Sequence, residues 1–268
     1  IILLLFFCFP EVIISSSTSY YFRTLGINDG LSQSTVNAIL QDQKGFMWIG
    51  TKDGLNQYDG QECRVFQKEN SSLGNNFITA LYEDCEGYIW VGTDAGVYIY
   101  NPVQEAFQFL DTEIASSGEK ITRAVTWITS DSQNNIWISV DNQGLFCYNR
   151  GKKNLTKVVS CGKSGIANVT HFWFYAGQLW IARYEDNLYV SKDNSSFNAF
   201  NDVDGEDIFK GLVINSYVEG LHNCLYVGTS KGLMEINLTS RKVRKLLDEY
   251  VPVSYTHLRA HETGRNLV

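Results

Sequence analysis

The sequence predicts an all-β chain made of repeated four-stranded blades, and three observations carry that expectation. The word Gly45-Phe-Met-Trp-Ile-Gly-Thr-Lys-Asp-Gly54 returns as Gly87-Tyr-Ile-Trp-Val-Gly-Thr-Asp-Ala-Gly96, with weaker echoes around Trp137, Trp180 and Tyr226. The aromatic position thus recurs every 42 to 47 residues, the period of one four-stranded propeller blade. Within each copy, short apolar runs are split by Gly, Asp and Asn turn residues. The predicted fold is a β-propeller with five blades present, near residues 31–66, 74–110, 121–159, 166–200 and 211–247.

The first copy sets the pattern. Residues 35–41 are rich enough in aliphatics to form an inner strand buried on both faces. Residues 46–50 form the second strand, 55–58 the third and 63–66 the edge, which makes a four-stranded meander. Asp42, Asp84 and Asp131 open the first hairpins, where a short carboxylate bonds backbone two residues on. Gly45 and Gly87 supply a positive φ, and Asn134-Asn135 stands there in the third copy because Asn tolerates the left-handed region. Trp48, Trp90, Trp137 and Trp180 are expected to wedge between blades, each burying about 200 Å², not to act as sugar platforms.

The fourth copy lacks the hairpin Asp, and the fifth replaces the Trp with Tyr226. Residues 20–25 read as an extra strand of the kind that closes a propeller ring between the chain ends. Five copies of about 45 residues exhaust the chain before a six- to eight-bladed ring closes, so the expectation is a fragment of a larger propeller or an unusual five-bladed one. Residues 20–251 form this propeller segment.

The ends differ from the body. Residues 1–18 open on Ile1-Ile-Leu-Leu-Leu-Phe-Phe-Cys-Phe-Pro10 and continue into Ser and Thr. They read as a signal peptide missing its front end, with a truncated membrane anchor as the rival, and on either reading the body is exported. Residues 252–268 abandon the strand pattern and resemble translated sequencing-adapter read-through, a non-native tail.

Composition narrows the function classes. The 268 residues are 44% hydrophobic, enough for a large core, and the net charge of −7 comes without a basic cluster. Nucleic acid is therefore not an expected partner. The six cysteines, at 8, 63, 85, 147, 161 and 224, show no metal-type spacing and no small-domain disulfide framework. Cys8 lies in the leader, and the other five read as small buried hydrophobes in strands.

The run Tyr21-Phe-Arg-Thr-Leu-Gly-Ile-Asn-Asp-Gly-Leu-Ser-Gln-Ser-Thr-Val-Asn-Ala-Ile-Leu-Gln-Asp42, followed by Gly45-Phe-Met-Trp-Ile-Gly-Thr-Lys-Asp-Gly-Leu-Asn-Gln-Tyr-Asp-Gly60, resembles the two-component regulator propeller family. The resemblance extends over about residues 20–251. It implies a truncated seven-bladed propeller from the periplasmic sensor region of a hybrid two-component histidine kinase, anchored in the inner membrane in its full-length form. It further implies sensing of polysaccharide-derived oligosaccharide, with downstream sensor domains and a homodimer partner completing the signal. No stretch matches a kinase nucleotide-binding or phospho-acceptor pattern, so this segment is not expected to be an enzyme, and no cofactor is expected. An exported scaffold for protein contacts is the second reading, and a sugar-acting propeller enzyme the third.

Ligand contacts are expected where loops from several blades meet at one mouth: the connections into the inner strands and the turns after the second strands. Arg123, Asn142, Arg183 and Tyr184 fall there, as do Asn75, Asn76 and Asp141, and together they offer donors, acceptors and an aromatic suited to sugar or uronate. Trp127 stands where the first two copies have Ala38 and Ala80, so it either lines the channel as a stacking platform or fills it, and Trp173 is read in the same way. No metal is expected. His257 and His261 have helical zinc spacing but lie in the tail, and the turn carboxylates offer too few ligands for calcium. His171 and His222 sit in separate repeats without a nucleophile motif.

Overall fold

The computed structural model describes residues 24–158, 169–175, 177–183, 186–191, 193, 197–220 and 222–247. They form five four-stranded antiparallel sheets, each a meander in chain order. Blade 1 holds β1 (Val36–Gln41), β2 (Met47–Thr51), β3 (Gly54–Tyr58) and β4 (Cys63–Phe66). Blade 2 holds β5 (Ile78–Glu83), β6 (Ile89–Thr93), β7 (Gly96–Asn101) and β8 (Ala106–Phe109). Blade 3 comprises β9 (Val125–Ser130), β10 (Ile136–Val140), β11 (Gly144–Asn149) and β12 (Asn154–Lys157). Blade 4 comprises β13 (Val169–Tyr175), β14 (Gln178–Arg183), β15 (Leu188–Ser191) and β16 (Asn198–Ala199). Blade 5 comprises β17 (Ile214–Glu219), β18 (Cys224–Thr229), β19 (Gly232–Asn237) and β20 (Lys242–Leu247). The inner strands β1, β5, β9, β13 and β17 pack in succession, so each blade lies against the next.

The repeated word is explained residue by residue. Asp42 Oδ1 accepts the backbone N–H groups of Lys44 and Phe46, and its Oδ2 accepts the Trp48 indole N–H at 2.8 Å. Asp84 does the same for Glu86, Tyr88 and Trp90, and Asp131 for Gln133, Asn135 and Trp137. One carboxylate therefore closes the turn and fixes the indole. The Gly of Trp-Ile-Gly-Thr is a close approach: a Cβ on Gly50 would lie 2.6 Å from Ile78 Cγ2 of blade 2, and one on Gly92 2.7 Å from Val125 Cγ1 of blade 3. The Thr hydroxyl donates across the second turn, from Thr51 to Gly54 O and from Thr93 to Gly96 O, both at 2.9 Å.

Between blades the indoles meet aromatic rings. Trp48 stacks on Phe66 of its own blade and tilts against Tyr100 of blade 2, Trp90 meets Tyr148 of blade 3, and Trp137 meets Phe174 of blade 4 edge-on. Polar bridges add register. Glu83 accepts the Gln43 N–H across blades 1 and 2, and Arg150 of blade 3 pairs with Asp84 (3.1 Å) and Glu86 (2.5 Å) of blade 2.

Two expectations need correction or completion, and one feature is new. β1 is not buried on both faces: Val36 is 37% exposed, whereas its counterpart Ile78 is fully buried, because no described blade precedes blade 1. The expected closing strand at residues 20–25 falls mostly outside the described residues, and Thr24 and Leu25 belong to no strand. A fourth Asp hairpin was not anticipated. Asp202 accepts the N–H groups of Asp204 and Glu206 in the connection to blade 5, repeating the Asp42 geometry outside a blade. The leader, the tail with His257 and His261, Cys8 and Cys161 lie outside the described residues. Among the described residues no helix is long and apolar enough to cross a membrane.

Candidate functional site

The loops expected to share a mouth do so. Gly54 of the β2–β3 turn donates its N–H to Asn76 O in the connection into β5. Within blades 2, 3 and 5, Asp94, Asp141 and Ser230 of the second turns donate to Phe77, Ala124 and Val213 just ahead of the inner strands. One end of the propeller therefore gathers both loop sets. The five inner strands reach this end through a β-bulge at the same place, with Asn37, Thr79, Thr126, Thr170 and Asn215 as the extra residue. A bulge re-aims the side chain it carries. All five are polar and half-buried, in strands whose neighbouring positions are mostly buried.

The individual candidates separate into three groups. Arg123 and Asn142 lie on the blade 3 rim, both exposed. Asn142 holds a left-handed φ of 53° and donates to Asp141 Oδ2. Asn75 and Asn76 are occupied by the loop itself: Asn75 Oδ1 accepts the Phe77 N–H, and Asn76 bonds Lys68, Asp53 and Glu69. Arg183 closes β14, pairs with Asp186 at 2.8 Å and lies over the Tyr189 ring. Its charge is already matched within blade 4, so it is not presented to the mouth as a free cation. Tyr184 lies outside the described residues.

Trp127 and Trp173 come together, but inside the protein. Trp127 is 8% exposed and meets the His171 ring edge-on at 4.7 Å, and Trp173 is 2% exposed and stacks on Tyr217 at 4.2 Å and on Trp180 at 6.2 Å. Tyr217 also touches Trp127. Of the two roles considered for these indoles, filling is the one the packing displays, since neither ring offers a face to solvent. Desolvation pushes the Tyr217 phenol well above its ordinary range, and the Glu219 charge adds to the effect. The sequence did not single out Tyr217. Its only signal was an aromatic at the inner-strand position occupied elsewhere by Ile39, Leu81, Ile128 and Phe172.

The other reactive groups are scattered. Burial pushes the Cys147 thiol up to about 12, reinforced by Asp131, which makes it a poor nucleophile. Cys63, Cys85, Cys147 and Cys224 are free thiols, and of these only Cys224 is buried as expected: Cys63 and Cys147 are half-buried, and Cys85 stands exposed in the hairpin turn of blade 2 instead of in a strand. Among the described residues no three His, Cys, Asp or Glu side chains converge on a metal position. A small cavity of about 290 Å³ lies on the blade 1 margin, lined by Phe46, Gln57, Asp59, Glu62, Cys63 and Arg64. Arg64 is already paired with Glu105 of blade 2 at 2.7 Å.

Known proteins share both the repeat and the fold. Residues 30–53 and 72–95, the cores of blades 1 and 2, match the two component regulator propeller model. Two of the chain's five described blades carry two-component regulator propeller repeats. The chain is similar to histidine kinase P4 of Formosa agariphila, 40% identical over 53 residues that cover 20% of the chain and 4% of the kinase. It is also similar to the extracellular domain assigned to a hybrid two-component system of B. thetaiotaomicron, with a TM-score of 0.68 and 25% identity over 83% of the chain and 31% of that domain. Virginiamycin B lyase from Staphylococcus aureus shares the fold alone, with a TM-score of 0.59 and 11% identity over 82% of the chain and 71% of the lyase. The chain thus spans about a third of the solved extracellular domain, and its match spans a small part of the kinase.

Proposed function

We propose that this chain is a propeller segment of an exported sensor of the hybrid two-component type. It contributes to recognition of a polysaccharide-derived oligosaccharide in the periplasm and signals through a histidine kinase outside this chain. The observation that carries the reading is the combination of two regulator-propeller repeats with a fold shared over 83% of the chain with a two-component extracellular domain. The rim supports it: the exposed Arg123 and Asn142 offer hydrogen-bonding groups without a nucleophile–base pair beside them among the described residues. Ligand would bias a pre-existing equilibrium between two arrangements of a dimer.

The test is calorimetry of the complete sensor region against a panel of oligosaccharides. Saturable heat from one glycan class, reduced at least tenfold in affinity by Arg123→Ala, is the expected result. No heat from any glycan would move the reading to an exported scaffold.

A further inference from the structure

The fourth strand of each blade is a sheet edge, and in an antiparallel ladder every second residue of such a strand turns its N–H and C=O outward. In blades 1 to 3 the chain itself caps one of these outward groups. Asn70 Nδ2 donates to Val65 O of β4 at 3.1 Å, the Phe107 N–H of β8 donates to Ser72 Oγ at 2.7 Å, and Leu155 O of β12 accepts the Ala115 N–H at 2.8 Å. The last cap is a strand addition in miniature. Ile114 forms a parallel bridge to Leu155, so residues 111–115 bring Asp111 and Glu113 beside a strand that ends on Lys157 and follows Lys152 and Lys153.

β20 departs from this pattern. It has six residues, against four, four, four and two in the other outer strands, and buries none of them, whereas β4, β8 and β12 each bury one. Val243 holds the register position of Phe107 and Leu155, because it pairs with Ile236 as those two pair with Tyr100 and Tyr148. Among the described residues no group caps its outward backbone. Around it stand Arg241, Lys242, Arg244 and Lys245, all exposed, a basic run that the whole-chain charge of −7 conceals. Arg244 pairs with Glu235 at 2.8 Å yet stays 69% exposed, a surface pair of small net worth. Cations also blunt sheet edges against aggregation, but the other four outer strands carry at most one each, so these blades do not depend on that device.

We infer that the outer edge of β20 docks an extended acidic segment of a partner protein, which pairs with the backbone of Val243 and sets carboxylates against Lys242 and Arg244. Main-chain hydrogen bonds give such edge pairing its affinity, and alternate side chains give it selectivity. Lys242 and Arg244 stand two residues apart on one face of the strand, roughly 7 Å along it. Asp111 and Glu113 have the same two-residue spacing, and their segment at β12 is the chain's own precedent for the occupant.

The test titrates the full chain with a synthetic peptide copying residues 109–116 and follows amide exchange by NMR. Saturable binding is expected, with exchange of the Val243 N–H slowed at least tenfold and that of Ala115 unchanged. A peptide carrying Asp111→Asn and Glu113→Gln should bind at least fivefold more weakly, and the same loss should follow Lys242→Glu with Arg244→Glu in the protein. Val243→Pro removes an N–H that lies outside the ladder, so it should abolish binding without unfolding blade 5, where Cys224 stays protected from thiol reagents. Four results would overturn the inference: no saturable binding, binding without slowed exchange at Val243, slow exchange at Val243 already in the free chain, or equal binding of the neutral peptide. Polygalacturonate that bound more tightly than the peptide, and lost its binding in the Lys242→Glu, Arg244→Glu protein, would overturn it too by assigning the strip to an acidic glycan.

Discussion

Blades 1 to 3 and blade 4 place an indole at the same point of the second strand but satisfy it differently. In blades 1 to 3 the Trp N–H donates to the hairpin carboxylate of Asp42, Asp84 or Asp131 at 2.8–2.9 Å. In blade 4 the hairpin is shorter: Tyr175 pairs directly with Gln178, no carboxylate is present, and Trp180 Nε1 is enclosed without an acceptor. Blade 4 compensates with rings. Trp180 lies parallel to Trp173, Trp173 stacks on Tyr217, and the Tyr175 hydroxyl reaches Asn223 of blade 5 at 3.0 Å. The two solutions show that the repeat keeps a wedge shape, not one set of bonds. A carboxylate holds the wedge from within its blade, and an aromatic stack holds it from the neighbour.

The sharpest way to break the contrast is Asp84→Ala. Asp84 is 2% exposed and at once holds two turn N–H groups, the Trp90 indole and the Arg150 guanidinium of blade 3. Removing it strands several buried donors, and the expected loss is about 3 kcal/mol, read as a lower urea midpoint with unchanged slope. Arg150→Ala should cost less, because water reaches the guanidinium side of that pair.

A smaller effect separates the two kinds of wedge directly. Trp90→Phe and Trp180→Phe delete similar ring area, but only the first removes a hydrogen-bonded N–H and leaves Asp84 short of a partner. Trp90→Phe should therefore cost about 1 kcal/mol more than Trp180→Phe. Equal urea midpoints for the two variants would mean that the carboxylate–indole bond adds nothing to the wedge.

What was legible in the sequence follows the same division. The Trp48 word could be read because every residue in it acts within its own blade or at a fixed offset into the next: Asp42 on Trp48, Thr51 on Gly54, Gly50 beneath Ile78. Asn134, expected to take the left-handed conformation in place of a Gly, does so with a φ of 60°. The rim of the mouth was legible for the same reason, since blade geometry alone sets which loops share an end. The fate of particular side chains there was not. Arg183 is matched by Asp186, three residues on, and Trp127 is covered by His171 and Tyr217 from two other blades. Such pairings depend on which blade lies alongside. A position in one copy does not encode it.

The smallest expected effect concerns the turn beneath the wedge. Gly87 holds a φ of 81°, and a methyl group there would meet nothing closer than Glu83 Oε1 at 4.0 Å, so Gly87→Ala tests conformation without a clash. An L-residue with a side chain pays about 1 kcal/mol in that region. Asn134 already carries that conformation in blade 3, so Asn134→Gly should shift stability by only a few tenths of a kcal/mol, with the relief of strain offset by the added freedom of the unfolded chain. If Gly87→Ala proved as mild as Asn134→Gly, the carboxylate of Asp84, with its two N–H acceptances, would be holding the turn regardless of the residue at its left-handed position.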